Sequence, residues 1–101
     1  MICIERHVQQ VRPGKWGELE ALDKKFNVVE SRLGFPAKKR YQCYIGGHNL
    51  NTLIVERQWE SLAAMEAAYE KAFVDPEYQV VQAESDSVLE SVQIELYAPL
   101  P

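Results

Sequence analysis

Two side chains near the start of the chain, Glu5 and His7, have the types and spacing that proton transfer needs. Imidazole exchanges a proton near neutral pH, and residues two apart on a strand share a face, so the carboxylate can orient the ring. We therefore predict His7 as a candidate catalytic base and Glu5 as its orienting partner. The alternative is a hydrogen-bonded or exposed strand histidine with a structural role, which is the commoner case for a pair without a wider motif.

A second group of side chains combines aromatic rings with amides and could bind a small hydrophobic or aromatic ligand. Aromatic faces bind flat molecules, and amides fix their orientation. The candidate ligand-binding residues are Gln42, Tyr44, Trp59 and Tyr97. The alternative is cross-strand packing at an interface between subunits, and a tryptophan at a strand end is typically a core or interface anchor.

The remaining composition argues against several other classes of function. The net charge of -4 repels phosphate backbones, so we expect no nucleic-acid partner. Neither a phosphate loop nor a dinucleotide fingerprint occurs, and Gly46-Gly47 alone predicts a turn. Cys3, Cys43 and the two histidines lack metal-ligand spacing, so we expect no metal site and no cofactor.

Hydrophobic periodicity predicts which elements must position these residues. Strict alternation predicts four strands, at residues 2–11, 38–45, 52–59 and 92–97. Three- and four-residue spacing predicts one helix that ends at Gly34 and a second that begins after the N-cap Ser61. Asp75-Pro76-Glu77 predicts the start of a further short helix that ends near residue 83.

The order of these elements predicts a single α+β domain over residues 1–101, of the ferredoxin-like type β-α-β-β-α-β. Two helices cover only one face of a four-stranded antiparallel sheet. We assign the apolar alternating residues Ile2, Ile4, Val8, Cys43 and Ile45 to that face, together with Leu53, Val55, Val92, Ile94 and Leu96. The opposite face then carries Glu5, His7, Gln42, Tyr44 and Tyr97, a mixture that suits a surface covered by a second copy of the chain.

Two local segments resemble a known superfamily. The passage from Trp59 through Ser61 to Met65, and the later Asp75-Pro76-Glu77-Tyr78, are similar to those of the dimeric α+β barrel proteins, and the NIPSNAP-like branch is the nearest in pattern. The resemblance covers nearly the whole chain and implies a homodimer in which two sheets close face to face into a barrel. The haem-degrading branch also needs a histidine on its second helical region, and residues 61–91 contain none, so we expect no haem.

These observations lead to one main functional hypothesis and two alternatives. The main hypothesis is a NIPSNAP-like dimer that binds a small molecule on the barrel face of its sheet. The alternatives are a cofactor-independent monooxygenase or isomerase that uses His7 as its base, and a non-catalytic structural dimer. No apolar run approaches the length of a membrane span, and with strand-borne thiols this leads us to expect a cytoplasmic protein.

Overall fold

The computed structural model describes every residue from Met1 to Pro101. Its elements are β1 (Cys3–Val11), α1 (Trp16–Arg32), β2 (Lys38–Gln42), β3 (Thr52–Trp59), α2 (Leu62–Phe73), α3 (Pro76–Glu84), a 3-10 turn (Ser85–Ser87) and β4 (Leu89–Tyr97). The strands form one antiparallel sheet in the order β2-β3-β1-β4. The predicted ferredoxin-like α+β fold is confirmed. The bounds differ from the predicted ones in that β2 stops before Cys43 and β4 begins three residues before Val92.

The helix termini follow the predicted local chemistry. The Ser61 hydroxyl accepts a hydrogen bond from the backbone N–H of Ala64 at 3.0 Å, and the Asp75 carboxylate accepts one from that of Tyr78 at 2.9 Å. Gly34 has φ +82°, the left-handed conformation that favours glycine after a helix end. None of the helices combines the length and the apolar character that a membrane crossing needs.

β1 presents to the helices the face opposite to the one we predicted. Its register pairs Glu5 with Arg57 and His7 with Val55, and Glu5 also contacts Tyr69 of α2. The assignment of Ile4 and Val8 to the helix side, and of Glu5 and His7 to the far side, is therefore wrong. Alternation distinguishes the two faces of a strand but not which of them is covered, and a buried carboxylate is tolerated where donors satisfy it.

The face assignment of β2 is also wrong, for a related reason. Lys38 lies opposite Arg57 in the sheet and Arg40 opposite Val55, so both cations point toward the helices. α1 meets them with carboxylates: the Lys38 ammonium is 2.7 Å from Asp23, and the Arg40 guanidinium binds both oxygens of Glu20. Ion pairs to α1 thus replace the apolar contacts expected here.

The helices leave the inner side of β4 uncovered. Val92, Ile94 and Leu96 lie opposite Gln9, His7 and Glu5 and therefore share their face of the sheet. These three apolar side chains are nonetheless 45%, 59% and 48% exposed. The space between the helix layer and the sheet is consequently open along this edge strand.

Candidate functional site

A cavity of about 290 Å³ lies between the helices and the sheet. The helices contribute mainly apolar and aromatic side chains, namely Leu19, Leu22, Phe26, Tyr69, Phe73 and Tyr78. The sheet contributes His7, Gln9, Leu53, Val55, Val92 and Ile94. Because Val92 and Ile94 are partly exposed, the cavity reaches the surface beside β4.

The Glu5 carboxylate is the polar centre next to this cavity. It is only 3% exposed and accepts three hydrogen bonds from side chains. The Trp59 indole N–H donates at 3.0 Å, the Tyr69 hydroxyl at 2.5 Å, and His7 Nε2 lies at 2.9 Å. β1, the end of β3 and the middle of α2 are thereby joined at one carboxylate.

The hydrogen bonds decide the charge state of Glu5. Burial by itself raises the pKa of this carboxyl, but the hydrogen bonds from His7, Tyr69 and Trp59 outweigh it and bring the pKa below its ordinary value. Burial and the neighbouring carboxylate raise the pKa of the Tyr69 hydroxyl far above its ordinary value, so Tyr69 stays protonated. Glu5 is therefore an anion at neutral pH, held by protonated donors.

The Glu5 carboxylate also decides the tautomer of His7. An ionised carboxylate only accepts hydrogen bonds, so His7 Nε2 must carry a proton and donate it. In the neutral ring Nδ1 is then an acceptor, and it has no hydrogen-bond partner within the chain. His7 lines the cavity, and its side chain is one-fifth exposed. This is the arrangement of a base that a carboxylate orients.

A row of ion pairs forms the polar part of the cavity wall. The buried Arg57 guanidinium donates to Glu30 and to the Pro36 carbonyl, each at 2.8 Å. The Lys38 ammonium lies 3.1 Å from Glu30 and 2.7 Å from Asp23. Each cation therefore has a carboxylate partner, and the wall offers no unpaired charge to a ligand.

The structure brings together three of the six predicted site residues and separates the others. Glu5, His7 and Trp59 meet, although Trp59 acts through its N–H on Glu5 and its ring does not line the cavity. The other three lie elsewhere: the Gln42 amide donates to the Leu50 carbonyl, Tyr44 is 84% exposed in a loop, and Tyr97 donates to Glu95 on the far face.

Two tyrosines of the helical layer, Tyr69 and Tyr78, are missing from the predicted site. The apolar spacing of the second helix places Tyr69 on its apolar stripe, and Tyr78 follows the helix start Asp75-Pro76-Glu77, so neither pattern draws attention to the hydroxyl. The available signal was chemical, since a buried tyrosine normally finds a partner for its O–H. Applied to the apolar stripe of α2, that rule would have predicted a buried acceptor near Tyr69.

Comparison with solved structures identifies the fold. A NIPSNAP family protein from Agrobacterium tumefaciens superposes with a TM-score of 0.82 at 20% sequence identity, covering 98% of this chain and 86% of that one. The chain has the NIPSNAP fold. A NIPSNAP-like domain protein from Burkholderia xenovorans superposes with a TM-score of 0.81 at 17% identity, covering 98% of this chain and 85% of that one.

A further NIPSNAP family protein from Agrobacterium tumefaciens, of unknown function, superposes with a TM-score of 0.79 at 15% identity. The match covers 97% of this chain and 87% of that one. No protein-family model and no curated protein matches the sequence. The likeness therefore concerns the fold alone.

Glu5 generates a prediction about stability and pH. E5Q removes the charge but keeps the size, so we expect a loss of about 2–4 kcal/mol in the free energy of unfolding at pH 7. Because folding lowers the pKa of Glu5, the stabilisation is complete above its ordinary value of 4.5 and is lost as the pH falls below it. Urea unfolding of both proteins from pH 7 to pH 3 measures the difference.

Glu90 provides the matched control, because it is an exposed glutamate of β4 without a side-chain hydrogen bond. E90Q should change the free energy of unfolding by no more than about 0.5 kcal/mol at any of these pH values. If the difference in the free energy of unfolding between wild type and E5Q stays constant from pH 7 to pH 3, the charged, hydrogen-bonded state of Glu5 is contradicted.

Proposed function

We propose that this protein binds a small, flat and mainly apolar molecule in the cavity between its helices and its sheet. One observation carries the proposal: an apolar cavity that reaches the surface also contains an oriented histidine with a free ring nitrogen. Ligand sites typically combine apolar walls with a few placed polar groups. The site lies on the helix side of the sheet and replaces the pocket predicted on the barrel face.

The size and the walls of the cavity define the class of ligand. At about 290 Å³ it lies at the lower end of the range of small-molecule sites, roughly 300–1,000 Å³. Phe26, Tyr69, Phe73 and Tyr78 give it four aromatic walls. Aromatic walls favour flat ligands through stacked and edge contacts. A compound of one or two fused rings fits both properties.

Blocking the cavity mouth tests this proposal. Val92 lines the cavity and is 45% exposed, so V92W should fill the entrance without disturbing the core. We expect V92W to weaken binding of the two-ring ketone 1-tetralone at least about tenfold by NMR titration. V28W, at an exposed valine of α1 that does not line the cavity, is the control and should bind as wild type does.

Equal affinity of V92W and wild type would place binding outside the cavity and contradict the proposal. If no two-ring compound binds the wild-type protein, a non-catalytic structural or interaction dimer becomes the better account of the chain.

The hydrogen bond between His7 and Glu5 favours a second candidate, a cofactor-independent monooxygenase or isomerase. In its first step His7 Nδ1 takes a proton from a C–H group next to the ligand's carbonyl. The C–H electron pair moves into the carbonyl to give an enolate, and Glu5 stabilises the imidazolium that forms. In an isomerase the same imidazolium returns the proton to another carbon.

Proton abstraction can be measured without knowledge of the natural substrate. In D₂O the wild-type protein should accelerate exchange of the protons next to the carbonyl of 1-tetralone, as seen by NMR. H7A should remove the acceleration, typically a loss of about 10²–10⁴-fold for a missing base. H48A, which removes the exposed loop histidine, should exchange as wild type does. Unchanged exchange in H7A would exclude His7 as the base.

We also propose that two copies associate through the sheet face away from the helices. Val8 and Ile54 lie opposite each other at the centre of this face, Tyr41 lies beside Ile54, and Tyr97 lies beside Ile4 nearer one end. Tyr41 and Tyr97 are 49% and 45% exposed. Arg6 pairs with Glu56 there at 3.5 Å, so the face combines apolar and compensated polar groups. A cytoplasmic location, consistent with two free cysteines, belongs to the same proposal.

Light scattering after size exclusion tests the association. The double variant Y41K/Y97K places two like charges on the proposed interface of each copy, so we expect the dimer to dissociate into monomers at micromolar concentration. Tyr44 is 84% exposed in a loop outside this face, and Y44K should remain dimeric. A monomeric wild-type protein, or a Y41K/Y97K variant that remains a dimer, would refute this interface.

A further inference from the structure

Tyr78 is a buried tyrosine whose hydroxyl has no partner in the chain. It occupies the first turn of α3, where its backbone N–H is fixed by the Asp75 cap. Its ring lies among Phe26, Phe35 and Phe73, with centroid distances of 6.0, 6.4 and 6.4 Å. These three rings hold the side chain in place, and the residue is only 6% exposed.

The hydroxyl of Tyr78 nevertheless makes no hydrogen bond within the chain. The only fully buried side-chain polar atoms that make no hydrogen bond are the Nε atoms of Arg6 and Arg40. The Tyr78 oxygen is not one of them, so it is accessible to a small molecule. Tyr78 lines the cavity. Its neighbour Tyr69 differs, since its hydroxyl is already committed to Glu5. A hydroxyl that faces a cavity and has no protein partner is free to make a hydrogen bond with a molecule bound there.

The protonation state of Tyr78 determines what it can bind. Burial, with further effects from Glu30 and Glu5, raises the pKa of Tyr78 to about 12. The hydroxyl is therefore neutral at physiological pH and has a proton to donate. His7 Nδ1, on the same cavity, is an acceptor. Tyr78 and His7 thus give the cavity a free donor and a free acceptor, beside the side-chain amides of Gln9 and Gln82 in its lining.

Charge compensation narrows the class of ligand further. Arg57 and Lys38 are each paired with carboxylates within 3.1 Å, so neither cation is free to bind an anion. Binding a carboxylate or phosphate would require breaking one of these pairs, which is costly inside a protein. An uncharged oxygen can bind without breaking either ion pair.

We propose that the Tyr78 hydroxyl is the hydrogen-bond donor to the ligand, and that the ligand is an uncharged ring compound whose carbonyl or hydroxyl oxygen accepts this bond. The inference rests on the proposed function, because it assumes that the cavity is occupied by a ligand. It adds a residue that recognises the ligand and a chemical class to that function. A ring without an oxygen fits the same walls but leaves the hydroxyl unpaired, and a ring with a carboxylate meets no free cation.

The experiment compares three two-ring probes, 1-tetralone, its oxygen-free analogue tetralin, and the anion 1-naphthoate, by NMR titration. Wild type should bind 1-tetralone most tightly. Y78F should weaken the binding of 1-tetralone about 5- to 10-fold, which corresponds to the loss of one hydrogen bond. Its affinity for tetralin should stay within about twofold of the wild-type value. Y44F removes an exposed tyrosine hydroxyl outside the cavity and should change neither affinity.

Thermal unfolding separates ligand recognition from a structural role. Y78F should unfold at the wild-type temperature or above it, because its hydroxyl has no partner to lose, whereas Y69F should unfold at a lower temperature. If the unfolding temperature of Y78F falls as far as that of Y69F, the Tyr78 hydroxyl stabilises the fold, and the inference is overturned.

The binding outcomes distinguish the two proposals. If 1-tetralone and tetralin both bind and Y78F changes neither, the cavity function stands and the role of Tyr78 is refuted. If 1-naphthoate binds most tightly, the assignment of an uncharged ligand is refuted. If no probe binds wild type, the proposed function fails, and the inference about Tyr78 fails with it.

Discussion

The buried carboxylate of Glu5 is the constraint on which the rest of this structure depends. An ion with 3% exposure is tolerated only where donors replace the water it has lost, and here an indole, a phenol and an imidazole do so. The three donors come from β3, α2 and β1, so satisfying one charge fixes the relative positions of these elements. It also fixes the orientation of His7 and leaves Nδ1 facing outward from the pair.

The ion pairs around Arg57 and Glu30, next to Glu5, divide the hydrophobic core into two parts. One apolar cluster gathers around Trp59, Phe35 and Val29, and a second around Val11, Leu22 and Leu53. Arg57 lies between Trp59 and Val55 along β3, at the boundary of the two clusters, with its charge shared between Glu30 and Glu5. The cavity lies along this boundary, which explains why its wall carries paired charges beside aromatic rings. In the proposed function, such a wall favours uncharged flat molecules over ions.

The fold of this chain is shared with known proteins, but the fold does not assign its function. Solved NIPSNAP proteins at 20% identity or less share its architecture over nearly its whole length. A shared fold hosts many activities, so the likeness by itself assigns none. The functional proposals rest instead on His7, Tyr78 and the compensated wall, which are properties of this sequence.

The sequence by itself determined the elements and their order. Periodicity and capping residues such as Ser61, Asp75 and Gly34 are local signals, so strand and helix positions and the ferredoxin-like order could be predicted from them. It also identified Glu5, His7 and Trp59 as residues of interest. Only the tertiary structure decided which face of β1 and β2 is covered, because a period of two is symmetric between faces and the ion pairs to α1 arise from residues distant in sequence. It likewise decided that Gln42, Tyr44 and Tyr97 lie apart from the cavity and that Tyr69 and Tyr78 line it, since a cavity is made by elements that meet only when the chain is folded.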